Sequence, residues 1–346
     1  MNMLEIIHKL PALTFEYKHF IVFATAVLIS AVLIPFIIKY SLKYGYVDIP
    51  NSRKIHTGRI PNLGGIAIFL GLFIASLFWY KFFNNPDFIF ISTSVIILLI
   101  TGIIDDIKGM KARKKLIFQF IAAFIIVAGG LRITSFYNFM GIGELPIVMQ
   151  YLFSIILIVG VINAYNLIDG IDGLAAGIGI INFGVMGYMF YSLHHTSFAL
   201  LSFAVSGSLL GFLMYNYNPA KIFMGDTGAL ILGFLTVALG IKLIELNGIK
   251  SIQIYTPQNM VVTISSIMFL PVFDTLRVFA IRIYKHKSPF TAGKDHLHHI
   301  LLKNGLQSRE VTLILITINI IIILIGFTIN YVLPIKVFTS SLMLIL

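Results

Sequence analysis

From residue 20 onward the chain alternates long apolar runs with short polar stretches. The runs lack both the 3.6-residue period of a surface helix and the strict alternation of a half-buried strand. Eleven can be marked, at about 20–40, 64–82, 89–104, 116–133, 149–164, 174–192, 198–215, 229–245, 259–282, 310–330 and 335–346. A helix needs about 20 apolar residues to cross a bilayer. Ten of the runs are read as spans, while 335–346 is too short to cross comfortably and reads as a half-span or a truncated helix. Lipid offers no hydrogen-bond partner to an open backbone, so spans of this kind are helical, and the alternating pattern of a membrane barrel is absent. The expected fold is an all-α polytopic integral membrane protein, a single transmembrane domain over 1–346. About 10–11 helices carry it, and its chemistry lies in the loops. No soluble domain, low-complexity linker or internal repeat interrupts it. The first run is too long for a signal-peptide core and lacks a cleavage site, so it is read as a retained span.

Composition agrees: 58% of the 346 residues are hydrophobic, 11% are charged, and the mean hydropathy is +0.95. There is no cysteine, which removes disulfides, thiolate nucleophiles and cysteine-bound metals. The net charge of +11 does not point to nucleic acid, because the basic residues fall between spans. With the N-terminus outside, 18 Lys and Arg lie on the inner side and 7 on the outer side, the bias expected of cytoplasmic loops. Every aspartate except Asp87 then lies inside, and four of the five glutamates lie outside. Lipid imposes no such split. A cytoplasmic site built from aspartates would.

Five inner stretches carry the candidate chemistry. Asn51–Gly65 holds Arg53, Lys54, His56 and Arg59 ahead of Pro61 and Gly64-Gly65, a donor-rich loop suited to an anion, though a plain positive-inside loop looks much the same. Asp105-Asp106 closes one span, with Lys115 opening the next; adjacent carboxylates repel unless a divalent cation or a proton intervenes. Between two apolar runs, 163–173 places Asn166, Asp169 and Asp172 three residues apart, so a helical turn would bring them nearly onto one face. Such carboxylates at a membrane boundary are costly unless they hold a cation or line a watery cavity. Residues 216–228 set Asn216 and Phe223 before Asp226, which stands between glycines at a helix start. Phe223 offers a stacking face for a planar ring. Finally, 295–299 clusters His296, His298 and His299. Zinc is disfavoured there, with no HExxH helix and no cysteine, and donation to a phosphate or sugar, or a role as proton carrier, fits better. Asp274 and Arg277 read as an internal ion pair of structural role. His8, His19, His194 and His195 fall outside. Walker A, GxSxG and dinucleotide-binding fingerprints are absent. Carboxylates and amides for a divalent metal, cations for phosphates and an aromatic for a base make up an inventory for phosphoryl transfer from a nucleotide diphosphate. The membrane setting makes a lipid the natural acceptor.

The motif set is specific. Asp-Asp-x-x-Gly at 105, Asn-x-x-Asp-Gly-x-Asp-Gly at 166, Phe-Met-Gly-Asp-Thr-Gly at 223 and His-x-His-His at 296 resemble those of the polyprenyl-phosphate N-acetylhexosamine-1-phosphate transferases of glycosyltransferase family 4. The resemblance runs in family order from about residue 20 to 330. Arg53-Lys-Ile-His56, the following Pro-x-Leu-Gly-Gly and the His-Leu-His-His form are closer to the WecA/TagO branch than to the MraY branch.

This resemblance implies a bacterial inner-membrane enzyme with its active site on the cytoplasmic face. Undecaprenyl phosphate would attack the β-phosphate of a UDP-N-acetylhexosamine, most simply UDP-GlcNAc. The reaction releases UMP and begins a cell-envelope polysaccharide such as O-antigen or teichoic acid. It further implies Mg²⁺, with Mn²⁺ as a substitute, held by Asp226 and Asn166. Asp105 and Asp106 would orient or deprotonate the lipid phosphate, Lys115 would contact the diphosphate, and Asp169 would lie close to metal or nucleotide. Asp172, Asn216 and Phe223 would hold uracil, while Lys54, His56, His296, His298 and His299 would hold the diphosphate and sugar side. Another UDP-amino sugar, UDP-MurNAc-pentapeptide, and a secondary transporter of an anionic solute are the competing readings, and a homodimer stays open.

Overall fold

The protein, seen in a computed structural model, is described over residues 14–48, 58–77, 85–139, 141–249, 257–289, 293 and 295–332. The helices are α1 (Thr14–Tyr44), α2 (Gly64–Leu77), α3 (Asp87–Lys108), α4 (Ala112–Ala128), α5 (Ile147–Ile168) and α6 (Leu174–Ser192). They continue as α7 (Thr196–Asn216), α8 (Gly225–Ile249), α9 (Pro257–Tyr284), α10 (Leu297–Lys303) and α11 (Ser308–Val332). Among the described residues eight helices are long and apolar enough to cross a membrane: α1, α3, α5 to α9 and α11. α2 is apolar but short, and α4 opens on the charged run Arg113-Lys-Lys115. The predicted span at 116–133 ends early, at Ala128, because the chain turns at Gly129-Gly130. The predicted 335–346 segment lies outside the described residues.

Several hydroxyls inside the helices are satisfied locally, which an apolar surrounding favours. The hydroxyls of Ser76, Thr101, Ser202, Ser208, Thr236 and Thr275 each donate to the carbonyl four residues back, at 2.6–2.9 Å. One buried network crosses the bundle. The Asn182 amide donates to the Tyr165 hydroxyl and to the Ile267 carbonyl, and accepts from Asn319, all at 2.9 Å. It ties α5, α6, α9 and α11 together.

Helix α8 is the axis of the molecule. Of its most apolar stretch 89% is buried, against 22% for α1, and α2, α3, α5, α6 and α9 pack around it. Its N-terminus meets α3 at Gly102, where any side chain would run into the Thr227 backbone. Two small antiparallel pairs complete the fold, an addition to the all-helical expectation. β1 (Val47–Asp48) pairs β2 (Ile60–Pro61) at the end that holds the aspartates, and β3 (Ser135–Phe139) pairs β4 (Ile142–Glu144) at the other. Strands this short, in connections between spans, carry too little periodicity to be read from sequence.

Candidate active site

The N-terminus of α8 is where the site is built. Gly225 opens it with φ +70°, and a Cβ there would collide with the Asn62 carbonyl and the Asp106 carboxylate. Asp106, the last acid of α3, caps this foreign helix. Its Oδ1 accepts from the Asp226 amide at 2.8 Å, and its Oδ2 from the Thr227 amide at 2.9 Å and the Thr227 hydroxyl at 2.6 Å. A carboxylate on the free N–H groups of a helix start satisfies them and meets the positive end of the dipole. The Asn62 side chain donates to the Asp106 carbonyl at 3.0 Å. Gly64 and Gly65 donate to the carbonyls of Phe223 and Met224, and Phe223 donates to that of Pro61, at 2.7–3.0 Å. Phe223, half-buried, is thereby held by its backbone on both sides, against Pro61 and Gly64.

Asp226 is the meeting point. Its Oδ1 accepts hydrogen bonds from Lys115 and from the Asn166 amide, which arrive from the start of α4 and the end of α5. Lys115 also reaches the Asp105 Oδ2 at 3.1 Å, so one ammonium joins Asp105 to Asp226. Asp105 takes the Met110 amide on its other oxygen at 2.6 Å. The two adjacent aspartates are therefore used differently: Asp106 points into the protein and Asp105 sits with Lys115 and Asp226.

The 163–173 stretch is the end of α5 and a tight turn. Asn163 donates to Gln119 at 2.7 Å, which secures α5 to α4. Asp169 ends the helix; burial, and then the charges of Asp226, Asp106 and Asp172, hold its carboxyl well above the usual carboxylate range. Asp172 accepts from the Asn218 side chain and the Ala220 amide, both at 3.1 Å, and its carbonyl accepts from Thr312 at 2.8 Å. Asn216 is 3% exposed, and both ends of its amide are spent: it accepts from the Gly173 amide at 2.9 Å and donates to the Ile222 carbonyl at 2.8 Å. In this structure Asn216 braces the turn and the loop that carries Phe223.

The histidine loop is anchored from α9. Asp274 accepts from Arg277 at 2.7 Å and from the Leu297 amide at 3.0 Å on Oδ1, while Oδ2 lies 2.9 Å from the His296 Nδ1. Arg277 also donates to the Asp295 carbonyl at 2.6 Å, and Arg282 to the Asp295 carboxylate at 3.1 Å. The Asp274–Arg277 pair expected from sequence is thus present and has a third partner in His296. His298 is buried against Gly170 of the turn, its Nε2 2.8 Å from where a Cβ would sit. Its ring stacks on His296 at 5.9 Å and tilts against His299 at 4.3 Å. Burial, then His299 and His296, push His298 down to about 3 against the opposing charge of Asp274, so the ring is neutral near pH 7.

Asp105, Asp106, Lys115, Asn166, Asp169, Asp172, Asn216, Phe223, Asp226, His296, His298 and His299 thus come to one end of the bundle from four separate stretches. Lys54 and His56 lie outside the described residues.

Comparison with known proteins gives this arrangement a family. Residues 88–244 match the model described as glycosyl transferase family 4. The chain is 35% identical over 311 residues to a Bacillus subtilis (strain 168) protein named "Probable undecaprenyl-phosphate N-acetylglucosaminyl 1-phosphate transferase", covering 87% of this chain and 82% of that one. The chain belongs to glycosyl transferase family 4. It is also 30% identical over 286 residues to the Yersinia pestis undecaprenyl-phosphate alpha-N-acetylglucosaminyl 1-phosphate transferase, covering 81% of this chain and 75% of the relative. Identity to the Mycobacterium tuberculosis (strain H37Rv) decaprenyl-phosphate N-acetylglucosaminephosphotransferase is 31% over 297 residues, 79% and 73% of the two chains.

Within this family-4 site, several contributors were not singled out by sequence reasoning. Asn62 and Thr227 complete the cap with Asp106, Asn218 secures Asp172, and Arg282 helps to anchor the histidine loop. Thr227 carried a usable signal, a hydroxyl in the first turn of a helix. Asn62 and Asn218 carried none, because their partners lie 44 and 46 residues away.

Proposed function

We propose that the protein transfers N-acetylglucosamine-1-phosphate from UDP-N-acetylglucosamine to undecaprenyl phosphate, releasing UMP and leaving the lipid-linked sugar diphosphate. The observation that carries this reading is Asp226, gathered with Asn166, Lys115 and Asp105 at one end of an apolar bundle. The names of the relatives support the same acceptor class and sugar. On the positive-inside bias this end faces the cytoplasm of a bacterial inner membrane, with the N-terminus outside.

The donor set fits Mg²⁺, with Mn²⁺ as a substitute. Asp226 would supply a carboxylate oxygen and Asn166 its amide oxygen once the amide, whose nitrogen here donates to Asp226, turns over; Lys115 bridges Asp226 to Asp105. Carboxylates so placed call for a cation or a proton between them, a need that the Lys115 ammonium meets here and that the ion would share. Among the described residues no three acidic or histidine side chains close on one point. That suits an ion held by one or two protein groups plus substrate phosphates. When bound, Mg²⁺ would neutralise charge on the diphosphate and the departing UMP.

An oxygen of the lipid phosphate forms the new bond to the β-phosphorus, and the bond from that phosphorus to the bridging oxygen breaks, its electron pair leaving with UMP. The second pKa of a phosphate monoester is about 6, so the acceptor is largely a dianion at neutral pH and needs no protein base. Asp105 then serves to orient the headgroup. Lys115, held between two carboxylates, turns to the incoming diphosphate. Phe223 stacks on uracil, with Asp172 as hydrogen-bond partner and Asn216 holding both segments. His296, His298 and His299, with Lys54 and His56, hold the diphosphate and sugar side, and Asp169 lies beside metal and nucleotide.

The test is transfer from a panel of labelled UDP-sugars to undecaprenyl phosphate, with and without Mg²⁺. Metal-dependent lipid labelling from UDP-N-acetylglucosamine is the expected result. Labelling from a different UDP-amino sugar alone would keep the mechanism and move the donor, and none from any would overturn the reading.

A further inference from the structure

We propose that Asp274 is a positioning residue for this transfer: from inside α9 it fixes the ring of His296, so that the opposite nitrogen, Nε2, is presented to the diphosphate. The proposal rests on the transferase reading of the site.

Asp274 is 4% exposed and His296 5% exposed, so neither is a casual surface contact. The carboxylate divides its work. Oδ1 takes the Arg277 guanidinium and the Leu297 backbone amide, while Oδ2 lies 2.9 Å from the His296 Nδ1. A carboxylate on Nδ1 fixes the proton there, leaving Nε2 with the lone pair in a neutral ring and with an N–H in a charged one. The hydrogen bond from the Leu297 amide holds the backbone of the next residue on the same carboxylate, which keeps the ring beside Oδ2. The groups around it are Asp274 and Arg277 from α9, Asp295 before it, and His298 from α10, whose far side meets His299.

Anchoring alone does not account for this bond. The loop is already tied to α9 by Arg277 on the Asp295 carbonyl and by Arg282 on the Asp295 carboxylate and the Pro289 carbonyl. Arg277 by itself would compensate the buried Asp274 charge. A separate oxygen committed to one imidazole nitrogen is what orienting a functional histidine requires.

The experiment is a double-mutant cycle in purified full-length protein, with Asp274→Asn, His296→Ala and both together. It reads kcat, the KM for UDP-N-acetylglucosamine and for undecaprenyl phosphate, and thermal stability. Outer partners of this kind typically matter 10- to 100-fold. The expected result is a fall in kcat of about that size for Asp274→Asn, at least as large for His296→Ala, and no further loss in the double variant. Multiplying losses would overturn the proposal, because they would mean that Asp274 acts other than through His296; so would a kcat for Asp274→Asn that stays at the wild-type value. A silent His296→Ala would overturn the assigned role of His296 and the proposal with it, yet leave lipid labelling by the wild type intact. Should Asp274→Asn fail to fold, ¹⁵N-imidazole spectra of the wild type decide. The His296 signal, assigned by its loss in His296→Ala, must show the Nδ1-protonated form, and an Nε2-protonated neutral ring would refute the idea.

Discussion

Replacing Asp106 with alanine or asparagine separates a helix cap from a catalytic group. The wild-type carboxylate accepts three hydrogen bonds from the first turn of α8, at 2.6–2.9 Å. Alanine leaves the Asp226 and Thr227 amides without an acceptor in a closed interior, at about 1–3 kcal/mol for each buried donor. Relaxation and water entry offset part of this, so a loss of about 2–5 kcal/mol is expected. Asparagine keeps one carbonyl oxygen and remains a good cap, so it strands about one donor and costs about 1–3 kcal/mol. Because Asp226 is itself one of the capped residues, both variants also shift the carboxylate that Lys115 and Asn166 share. Apparent Mg²⁺ affinity should therefore weaken in step with stability. The assays are thermal unfolding in detergent and Mg²⁺ titration of lipid labelling. If Asp106→Ala melts like wild type and loses only kcat, the cap is unimportant and Asp106 acts on substrate.

Asp226→Asn should abolish turnover, and lipid labelling at any Mg²⁺ concentration near the wild-type rate would remove the metal assignment. Phe223→Ala should raise the KM for the UDP-sugar much more than that for the lipid, and equal effects would sink the stacking role. His298 supplies a pH test. Its folded value of about 3 lies below the ordinary 6.5, so below pH 6.5 the unfolded chain takes up a proton that the folded one refuses, and stability falls as pH drops. Between pH 7 and pH 5 this amounts to about 2 kcal/mol. His298→Gln should flatten that part of the thermal stability profile, and an unchanged slope would contradict the burial of a neutral ring.

Much of the site was legible because it is written in short motifs with steep physical requirements. Asn166, Asp169 and Asp172 between apolar runs, and Asp226 between glycines, are too costly at a membrane boundary to be incidental. The Asp274–Arg277 pair could be read as well, one helical turn apart. What could not be read was which polar group each motif member would meet. Asn216 resembles a ligand-binding amide in the sequence, yet its amide is consumed between Gly173 and Ile222. His296 gave no hint of Asp274, because they lie 22 residues apart, across the end of α9 and a loop whose path no periodicity describes.

The sequence by itself determined that this is a multi-pass helical membrane protein with its chemistry in polar segments between spans. Lipid leaves the backbone few ways to cross, and hydropathy along the chain reports those crossings directly. Only the tertiary structure decided how two neighbouring aspartates divide their roles. Successive residues of a helix point about 100° apart. Which of Asp105 and Asp106 meets the N-terminus of α8, and which stays with Lys115, depends on where α8 packs against α3. That approach is set by the contact of Gly102 with Thr227, across more than 120 residues of chain.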